Sequence, residues 1–536
     1  MPSKNLTITE DQLNQGVDWW GLVALLAFYA LIAAIGCLAA WWRQRRLVQS
    51  GLSSAQDRSQ SESAIVAGRD IGLFVGIFTM IATWVCGGYV NGTAEYTFTS
   101  GLVWVQAPVG YSFSLIVGGL FFAKPMRAQG YLTMLDPFQQ RYGRFIGGLL
   151  FIPALLGETL WSAAILNALG AAVSTILGLS RVPSVILSAA VAIAYTFIGG
   201  MYSVAFTDVI QLICTVFGLV LAIPFAWSHP DADPNRPLDN LLGTIEYPGQ
   251  YIDGFLLLIF GGLPWQVYFQ RVLSVRSSRN AQILSFAGGV GCLLMAIPPL
   301  LIGVSALRLP DASPLRAAIV NDSTMLLPLV VKHMTPPVVG YIALGAVAAA
   351  VMSSSDSSIL SASSMFAHNI FRNVIWQNAP DKIVLWVLRV SVIVCGVLSC
   401  VLALAVPQVY ALWVLSSDLV YVILFPQLLC AVYVGFVNRY GVLAGYAVGL
   451  GVRCAHGVPE LEWKTGLEVT NWPTKTLAML ANLGITLLVS WLTKGTVHRY
   501  KNVVVSAKST AIQPVKREAW EMRPQTDQKT DVSTRL

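Results

Sequence analysis

Residues 82–92 read ATWVCGGYVNG and lie at the end of a long apolar stretch. A segment built only to cross a membrane would be apolar from end to end, but this one places Gly87 beside Gly88 and continues to Asn91. Unwound backbone survives at membrane depth only where protein buries it or where it lines a cavity, because hydrocarbon offers no hydrogen-bond partner. The stretch therefore predicts a membrane helix that is broken in its middle, next to the indole ring of Trp84.

The composition of the chain indicates a polytopic membrane protein. The 536 residues are 55% hydrophobic and 11% charged, with a mean hydropathy of +0.64, whereas soluble proteins carry about 25% charged residues. The net charge of +7 does not indicate a nucleic-acid partner, because the basic residues lie at the ends of apolar runs, where they set orientation. The eight cysteines show no CxxC spacing, so neither a disulfide framework nor a zinc site is indicated.

Hydropathy along the chain predicts about thirteen membrane spans, each about as long as a helix that crosses a bilayer. The predicted domains are an extracellular N-terminus (1–18), a transmembrane domain (19–495) and a cytoplasmic tail (496–536), whose polar and aperiodic sequence indicates disorder. The predicted spans have the approximate bounds 19–42, 70–93, 101–123, 146–177, 182–200, 203–227, 251–273, 281–306, 336–365, 383–405, 408–435, 438–455 and 474–493.

The charges of the loops set the orientation of the spans. The segments RQRR (43–46), QRVLSVRSSR (270–279) and HRYKN (498–502) are basic, and the positive-inside rule places them in the cytoplasm. With thirteen spans, the N-terminus is then outside and the C-terminus is cytoplasmic. Two N-x-S/T sites, at Asn5 and Asn321, land outside, where glycosylation can occur.

The seventh predicted span is broken in the same way as the second. Its stretch LLLIFGGLPWQVYFQR (256–271) contains Gly261, Gly262 and Pro264, again beside a tryptophan. Transporters built from inverted repeats carry broken helices at equivalent positions of their two halves, where ions and substrate bind near the midplane. Spans two to six and seven to eleven would then form a five-plus-five inverted repeat. The alternative is a pair of glycine-tolerant helices that pack closely, since Gly is common in membrane helices.

The ninth predicted span is rich in hydroxyl groups. Its stretch AAAVMSSSDSSILSASSMF (348–366) contains eight serines and one aspartate. Polar residues at this density inside a span usually face a bundle interior or a water-filled path. Hydroxyl and carbonyl oxygens are hard ligands that suit a small cation such as sodium. Close helix–helix contact is the alternative, because small residues also line the interfaces between membrane helices.

Several of these stretches resemble the sodium:solute symporter family. They are the broken second span, the serine-rich ninth span and the segment GGMYSVAFTDVIQL (199–212). Longer stretches, such as FFAKPMRAQGYLTMLDPFQQ (121–140) and LWVLSSDLVYVILFPQLLC (412–430), resemble the choline-transporting members of that family. The resemblance runs from about residue 20 to 450 and weakens in the outer loop 456–472 and in the tail.

The resemblance implies an all-α membrane protein with the leucine-transporter-like fold, about thirteen transmembrane helices and an alternating-access mechanism. It implies sodium-coupled, chloride-dependent, high-affinity uptake of choline across the plasma membrane, which supplies acetylcholine synthesis. A location at presynaptic terminals and synaptic vesicles is implied as well. The expected partners are choline, sodium and chloride ions and membrane lipid, without nucleic acid. The oligomeric state is left open, a homo-oligomer included.

The same resemblance implies a set of sodium ligands. In the family, a sodium site lies between the first helix of the repeat and the eighth, and some members add a second site at the aspartate of a Thr-Asp pair. Carried over by motif, the first site takes the carbonyls of Ala82, Val85 and Ala350 and the hydroxyls of Ser353 and Ser354. The second site would use Asp208, with Asp356 in the same region.

A choline site calls for aromatic rings. A quaternary ammonium donates no N–H hydrogen bond, so its fitting partner is a cage of aromatic faces, each worth roughly 0.5–2 kcal/mol. A carboxylate is not required, although acidic residues at membrane depth are functional candidates. For each ring, core packing or a position in the interfacial belt is the alternative. The candidate choline-binding residues are Trp84, Tyr111, Trp161, Trp265, Trp413, Glu158 and Asp253.

Other classes of function fit the sequence less well. No HExxH, GxSxG or P-loop motif occurs, so an enzyme is not indicated. A sodium symporter for another solute, such as proline or a sugar, is the nearest alternative, but a sugar site would need several hydrogen-bonding side chains where this sequence offers mostly rings. A transporter-like sensor or channel would give substrate-gated signalling or current without net uptake.

Overall fold

The structure is a computed structural model that describes residues 18–49, 60–238, 241–406, 409–457 and 472–494. Within these ranges every regular element is a helix, and the parallel pairing of Ile71 with Val275 is an isolated bridge. The predicted all-α class is therefore confirmed. Asn5, most of the predicted extracellular N-terminus and the predicted cytoplasmic tail lie outside the described residues, and what was predicted for them stays a prediction.

The helices follow the predicted spans in order along the described chain. Wide π-helical turns extend or interrupt some of them, at Gly118–Ala123, Phe366–Ile375 and Val420–Leu424. The helices are Trp19–Gln49, Gln60–Val66, Leu73–Trp84, Gly87–Thr99, Gln106–Val117, Lys124–Ala128, Asp136–Tyr142, Arg144–Leu177, Arg181–Trp227, Pro248–Phe260, Gln266–Ser274, Ser278–Met295, Ile297–Leu307, Pro314–Asn321, Leu326–His333, Pro337–Met365, Asp381–Ala405, Val409–Leu419, Phe425–Tyr433, Arg439–Ala455 and Thr474–Leu492.

Length and composition make nine helices of the described residues able to cross a membrane, or up to eleven if each sharply bent pair is one span. All thirteen predicted stretches are helical, but the predicted spans 2, 5, 7 and 12 are too short, or too interrupted, to be counted among the nine. One bent pair is the broken span 2. The other, Pro314–Asn321 with Ser323–His333, turns by 119° and lies where a loop was predicted. It is helical because it buries apolar side chains such as Leu327 and Val330.

Spans 5 and 6 form one long helix, Arg181–Trp227, with a kink where the sequence predicted a boundary. Gly200 has a φ of 60° and a ψ of 177° at this kink. A side chain would strain that backbone, so glycine is the residue that allows the turn. The kink directs the two arms of the helix along separate spans.

Span 9 lies in the centre of the core. The helix Pro337–Met365 packs against Arg181–Trp227 and Arg144–Leu177, and all eight serines of its hydroxyl-rich stretch are buried. The two broken spans also meet directly, because the N–H of Ile71 donates to the carbonyl of Ser274 over 3.1 Å. The breaks and the serines are therefore held in one part of the molecule.

Candidate functional site

The first break releases backbone oxygens opposite the serines of span 9. Val85 leaves the helix at φ −80° and ψ 65°, and the next half-helix starts at Gly87. The sulfur of Cys86 accepts from the N–H of Tyr89 over 3.4 Å and so caps that start. The carbonyl of Ala82 then faces the hydroxyl of Ser353.

Four of the five residues predicted for the first sodium site are brought together. The hydroxyl oxygen of Ser353 lies 3.0 Å from the carbonyl oxygen of Ala82. The hydroxyl of Ser354 lies 3.3 Å from the same carbonyl, 3.1 Å from that of Thr83 and 3.2 Å from that of Ala350. The Thr83 carbonyl was not predicted, although its place one residue after Ala82 was a usable signal. The resulting group of hard oxygens has the chemistry that a sodium ion requires.

Val85, the fifth predicted ligand, is placed at the break, and its N–H still donates to Ile81 over 2.9 Å. The structure describes no hydrogen bond between its carbonyl and the serines of span 9. Its position one residue beyond the last helical turn leaves this carbonyl outside the regular helix pattern.

The candidate rings form two groups, both almost entirely buried. In the first group, the centroid of Tyr111 lies 4.7 Å from that of Trp84 and 5.6 Å from that of Trp413. In the second group, the centroids of Trp161 and Trp265 lie 5.2 Å apart in an edge-to-face arrangement. Such arrangements are the preferred ones between aromatic rings.

Cys86 connects the two ring groups. Its thiol interacts with the side chain of Trp161. A side chain added at Gly88 would lie 3.8 Å from the Cys86 sulfur and 4.0 Å from the ring of Trp413. Rings contributed by spans 2, 3, 4, 7 and 11 therefore converge on the first break.

The second break closes on itself. The indole N–H of Trp265 donates to the carbonyl of Gly261 over 2.6 Å, across the turn that separates Pro248–Phe260 from Gln266–Ser274. Glu158 lies beside the start of the second half-helix, close to the backbone N–H groups of Gln266 and Val267. The first N–H groups of a helix lack partners within the helix, so a carboxyl is well placed there. Glu158 thus supports the break and the adjoining Trp265.

Glu158 also connects span 4 to span 9. The hydroxyl of Ser358 lies 2.9 Å from one oxygen of its carboxyl and 2.7 Å from the hydroxyl of Ser162. The other carboxyl oxygen has no hydrogen-bond partner in the described part of the chain. Of the two predicted acidic residues of the choline site, Glu158 is the one that neighbours the rings.

Asp253 makes a different set of contacts. Its carboxylate accepts from the backbone N–H groups of Lys475 and Thr476, over 3.0 and 2.7 Å, and from the Thr476 hydroxyl over 2.6 Å. It therefore caps the start of the helix Thr474–Leu492, because the first N–H groups of a helix lack partners of their own. These contacts assign Asp253 to the attachment of the last span rather than to the rings.

A fully buried arginine lies behind the sodium candidates. The guanidinium of Arg271 lies 3.6 Å from the carboxylate of Asp208 and donates to the hydroxyl of Ser357. Asp208 in turn accepts from the hydroxyl of Thr79 and interacts with that of Ser353. The predicted second sodium residue is thus one contact away from the first site.

This arginine corrects one reading of the sequence. The segment 270–279 was predicted to lie in a basic cytoplasmic loop, but Arg271 belongs to the half-helix Gln266–Ser274 and is completely buried. The positive-inside rule counts charges near span ends and cannot tell a buried charge from an exposed one. An arginine this close to a helix break was the signal that could have indicated a functional position.

Asp356 faces away from the first sodium candidates. One of its oxygens accepts from the hydroxyl of Thr196 over 3.0 Å, in the first arm of the kinked helix. Its other oxygen has no hydrogen-bond partner among the described residues. Asn321, predicted to be glycosylated, is exposed at the end of Pro314–Asn321.

The far end of span 9 is held by contacts with Asp136. Asp136, in the short helix between spans 3 and 4, lies 3.2 Å from the imidazole of His368 and accepts from the amide of Asn369 over 2.8 Å. Burial alone would raise the pKa of Asp136, but His368 and the N–H groups of Leu132 and Thr133 lower this pKa to about 2. The carboxylate is therefore charged at physiological pH and holds this end of span 9.

Comparisons with known proteins agree with this geometry. The sequence profile of the sodium:solute symporter family matches residues 65–233 and 242–449. The chain is 50% identical over 509 residues to the high affinity choline transporter 1 of Homo sapiens, a match that covers 88% of this chain and 85% of that protein. It is 50% identical over 491 residues to the high-affinity choline transporter 1 of Drosophila melanogaster, covering 88% and 78%.

The fold has a solved counterpart. A Na⁺-coupled sialic acid symporter in an outward-open state superimposes with a TM-score of 0.71 over 89% of this chain and 98% of that one, at 16% sequence identity. At this identity the likeness shows the shared fold alone. The profile match over most of the chain and the relatives that are 50% identical to it establish that the chain belongs to the sodium:solute symporter family.

Proposed function

We propose that this chain imports choline into cells, coupled to sodium and dependent on chloride, by alternating access. The observation that carries the proposal is the structure of the first break. There, within three residues, the carbonyl of Ala82 faces the hydroxyl of Ser353, and the ring of Trp84 lies against Tyr111. An ion-binding group and a cation-binding group share one short segment, so filling either one changes the surroundings of the other.

The chemistry of the rings suits choline. Its charge is spread over methyl groups, so attraction comes from ring faces rather than from a hydrogen bond. The proposed cage consists of Trp84, Tyr111, Trp161, Trp265 and Trp413, with the carboxyl of Glu158 behind the second pair. A sugar or an amino acid would need hydrogen-bonding side chains that the ring groups do not supply. The two relatives compared above are choline transporters by name, which supports the same substrate.

The proposed sodium sites differ in chemistry. The first uses the carbonyls of Ala82, Val85 and Ala350 with the hydroxyls of Ser353 and Ser354, all neutral oxygens. The second uses Asp208 of span 6, with Asp356 of span 9 in the same region. Because Asp208 also contacts Ser353, a cation at one site would be felt at the other.

The proposed cellular role and membrane orientation follow from the likeness to choline transporters. Choline taken up at the plasma membrane would supply acetylcholine synthesis, at presynaptic terminals and on synaptic vesicles. The N-terminus with Asn5 and the helix end at Asn321 would face the outside, and the tail would face the cytoplasm. An antibody to a tag placed after Leu536 should therefore stain permeabilised cells only. Staining of intact cells would contradict the proposed orientation.

Uptake of radiolabelled choline by cells that express the full chain tests the proposal. Uptake above that of untransfected cells is expected in sodium chloride medium. It should fall to background when lithium replaces sodium, and also when gluconate replaces chloride. Labelled proline and glucose serve as controls and should not accumulate. Accumulation of either one instead of choline would make the chain a sodium symporter for another solute. Choline-gated current without accumulation would indicate a channel or sensor.

A further inference from the structure

A cavity lies at the end of the bundle where the two arms of the kinked helix meet. It has a volume of about 300 Å³ and is bordered by the short helix Gln60–Val66, by the kink at Gly200 and by the first turns of span 10. Polar groups of Gln60, Ser63 and Tyr202 line it together with the guanidinium of Arg389. None of these residues belongs to the proposed choline or sodium sites.

Arg389 has an unusual position for a charged residue. It lies two turns inside the apolar helix Asp381–Ala405 and is only partly exposed. Its guanidinium carbon lies 5.9 Å from the ring centroid of Phe197 and 5.5 Å from that of Trp386. Among the described residues no carboxylate forms an ion pair with it. The rings orient the guanidinium, but they do not neutralise its charge.

Acidic groups on neighbouring elements have other partners, as Glu62 of the helix Gln60–Val66 pairs with Arg69 over 2.8 Å. Asp381, at the start of the same helix, accepts from the N–H and hydroxyl of Ser61 over 2.9 and 2.5 Å and lies 3.5 Å from Arg372. One oxygen of Asp356 accepts from the hydroxyl of Thr196, a residue that lines the cavity. An ionised side chain at membrane depth is costly without a partner. No described residue supplies that partner to Arg389, so an anion from outside the described residues is expected to do so.

We propose that this cavity binds the phosphate headgroup of an anionic membrane lipid through Arg389. A guanidinium binds phosphate oxygens in a bidentate manner, and basic pockets between membrane helices on the cytoplasmic side are known as lipid headgroup sites. The outer face of span 10 is suited to acyl chains, because Trp386 and Val390 there are 60% and 53% exposed. The volume is about ten times that of one water molecule, about 30 Å³, which suits a headgroup better than a single chloride ion.

The site joins three elements that alternating access would move. It touches the helix that leads into span 2, the kink between spans 5 and 6, and span 10. A headgroup seated there would hold these elements together at one end of the bundle. The inference does not depend on which solute is transported.

Thermal unfolding of the purified full chain in neutral detergent tests the site. Dioleoyl phosphatidic acid should raise the unfolding midpoint at lower concentration than dioleoyl phosphatidylcholine does. In Arg389→Gln the phosphatidic acid concentration for half of the effect should rise about tenfold, because one charge-assisted bidentate contact is lost. Arg389→Lys keeps the charge and should retain part of the preference.

Arg308 supplies the matched control. It also stacks on an indole, with its guanidinium carbon 4.1 Å from the ring centroid of Trp227, but at the C-terminal end of the kinked helix, away from the kink. Arg308→Gln should keep the wild-type response to phosphatidic acid.

An equal response in the wild type and Arg389→Gln would overturn the proposal. So would stabilisation by potassium phosphate that matches the lipid and is lost in Arg389→Gln, since the site would then bind a free anion. If Arg389→Gln does not fold, native mass spectrometry of the wild type with equal amounts of both lipids decides, and absence of a preference for phosphatidic acid would refute the site.

Discussion

At the first break, in span 2, Val85 and Cys86 leave the helix, and the carbonyl of Ala82 just before them faces hydroxyls of span 9. At the second break, in span 7, the chain leaves the helix from Gly261 to Trp265, and the freed carbonyl of Gly261 is taken by the indole of Trp265 itself. The first break presents backbone oxygens to a neighbouring helix, whereas at the second break the freed carbonyl oxygen is hydrogen-bonded within the break.

The difference extends to the half-helices that follow. The half-helix after the first break carries no basic residue, and a neutral sulfur caps its start. The half-helix after the second break starts against the carboxyl of Glu158 and carries Arg271. The two breaks at matching places in the repeat therefore differ in chemistry. The first carries the neutral oxygens of the proposed sodium site, and the second carries the fixed positive charge of Arg271.

The largest effect is expected from Arg271→Gln, which removes that fixed cation and leaves Asp208 charged and buried. Breaking one side of a buried ion pair costs about 3–5 kcal/mol. The purified variant should unfold at a markedly lower temperature in detergent, and little of it should reach the cell surface.

The double variant Arg271→Gln with Asp208→Asn is the control, because it removes both charges together. It should be more stable than Arg271→Gln alone, since no uncompensated charge remains. If the double variant is no more stable than the single one, the second break does not depend on this ion pair.

Glycine substitutions compare the space at the two breaks. A Cβ at Gly261 would lie 2.5 Å from the Leu257 carbonyl oxygen and 3.0 Å from Cβ of Tyr421, whereas a Cβ at Gly88 meets nothing closer than 3.8 Å. Gly261→Ala should therefore destabilise the protein by about 1–3 kcal/mol through overpacking, and Gly88→Ala should leave the unfolding temperature nearly unchanged. Equal unfolding temperatures for the two variants would contradict the tight closure of the second break.

Serine substitutions test the open character of the first break. Replacing Ser353 and Ser354 together by Ala removes two hydroxyl ligands, and the sodium concentration for half-maximal choline uptake should rise about tenfold, equivalent to about 1.4 kcal/mol. Ser363→Ala is the matched control, because its hydroxyl bonds back to Ile359 in the same helix. An unchanged sodium dependence in the double variant would remove these serines from the ion site.

The smallest effect is expected from exchanging the ring at the second break. Trp265→Phe and Trp265→Leu both lose the bond to Gly261, so the difference between them reports the aromatic face alone. Leu should weaken choline binding more than Phe by about 1 kcal/mol, or about fivefold. The exposed Trp386 supplies a control, since Trp386→Leu should bind choline as the wild type does. Equal binding by the Phe and Leu variants would make Trp265 a packing residue.

Local patterns in the sequence were sufficient to predict both breaks. Paired glycines beside a tryptophan interrupt an apolar run, and that signal needs no knowledge of the partner helices. Ala82 contacts Ser353 and Ser354, which are 271 and 272 residues away from it in the sequence. This contact was predicted through the family resemblance rather than from the residues alone.

Other features depend on contacts that no local pattern reveals. Asp253 reads as an intramembrane acid, but its partner Thr476 lies 223 residues later and makes it a helix cap. Arg271 reads as a loop charge because basic residues follow it, although Asp208 and Ser357 surround it in the fold. Such polar side chains are ambiguous until the neighbouring helices are known, since burial and pairing decide their role.

The buried position of Arg271 also bears on how the chain enters the bilayer while it is being synthesised. An arginine at the centre of a helix costs about 2.5–3.5 kcal/mol during insertion by the translocon. Without neighbouring helices, the half-helix Gln266–Ser274 therefore gains little free energy by moving from water into the bilayer. Asp208 has emerged from the ribosome by then and can supply the counter-charge, whereas Ser357 is still to come. Asp208 is thus synthesised before Arg271, and span 9 after both. The half-helix can be fully enclosed only once span 9 has been made.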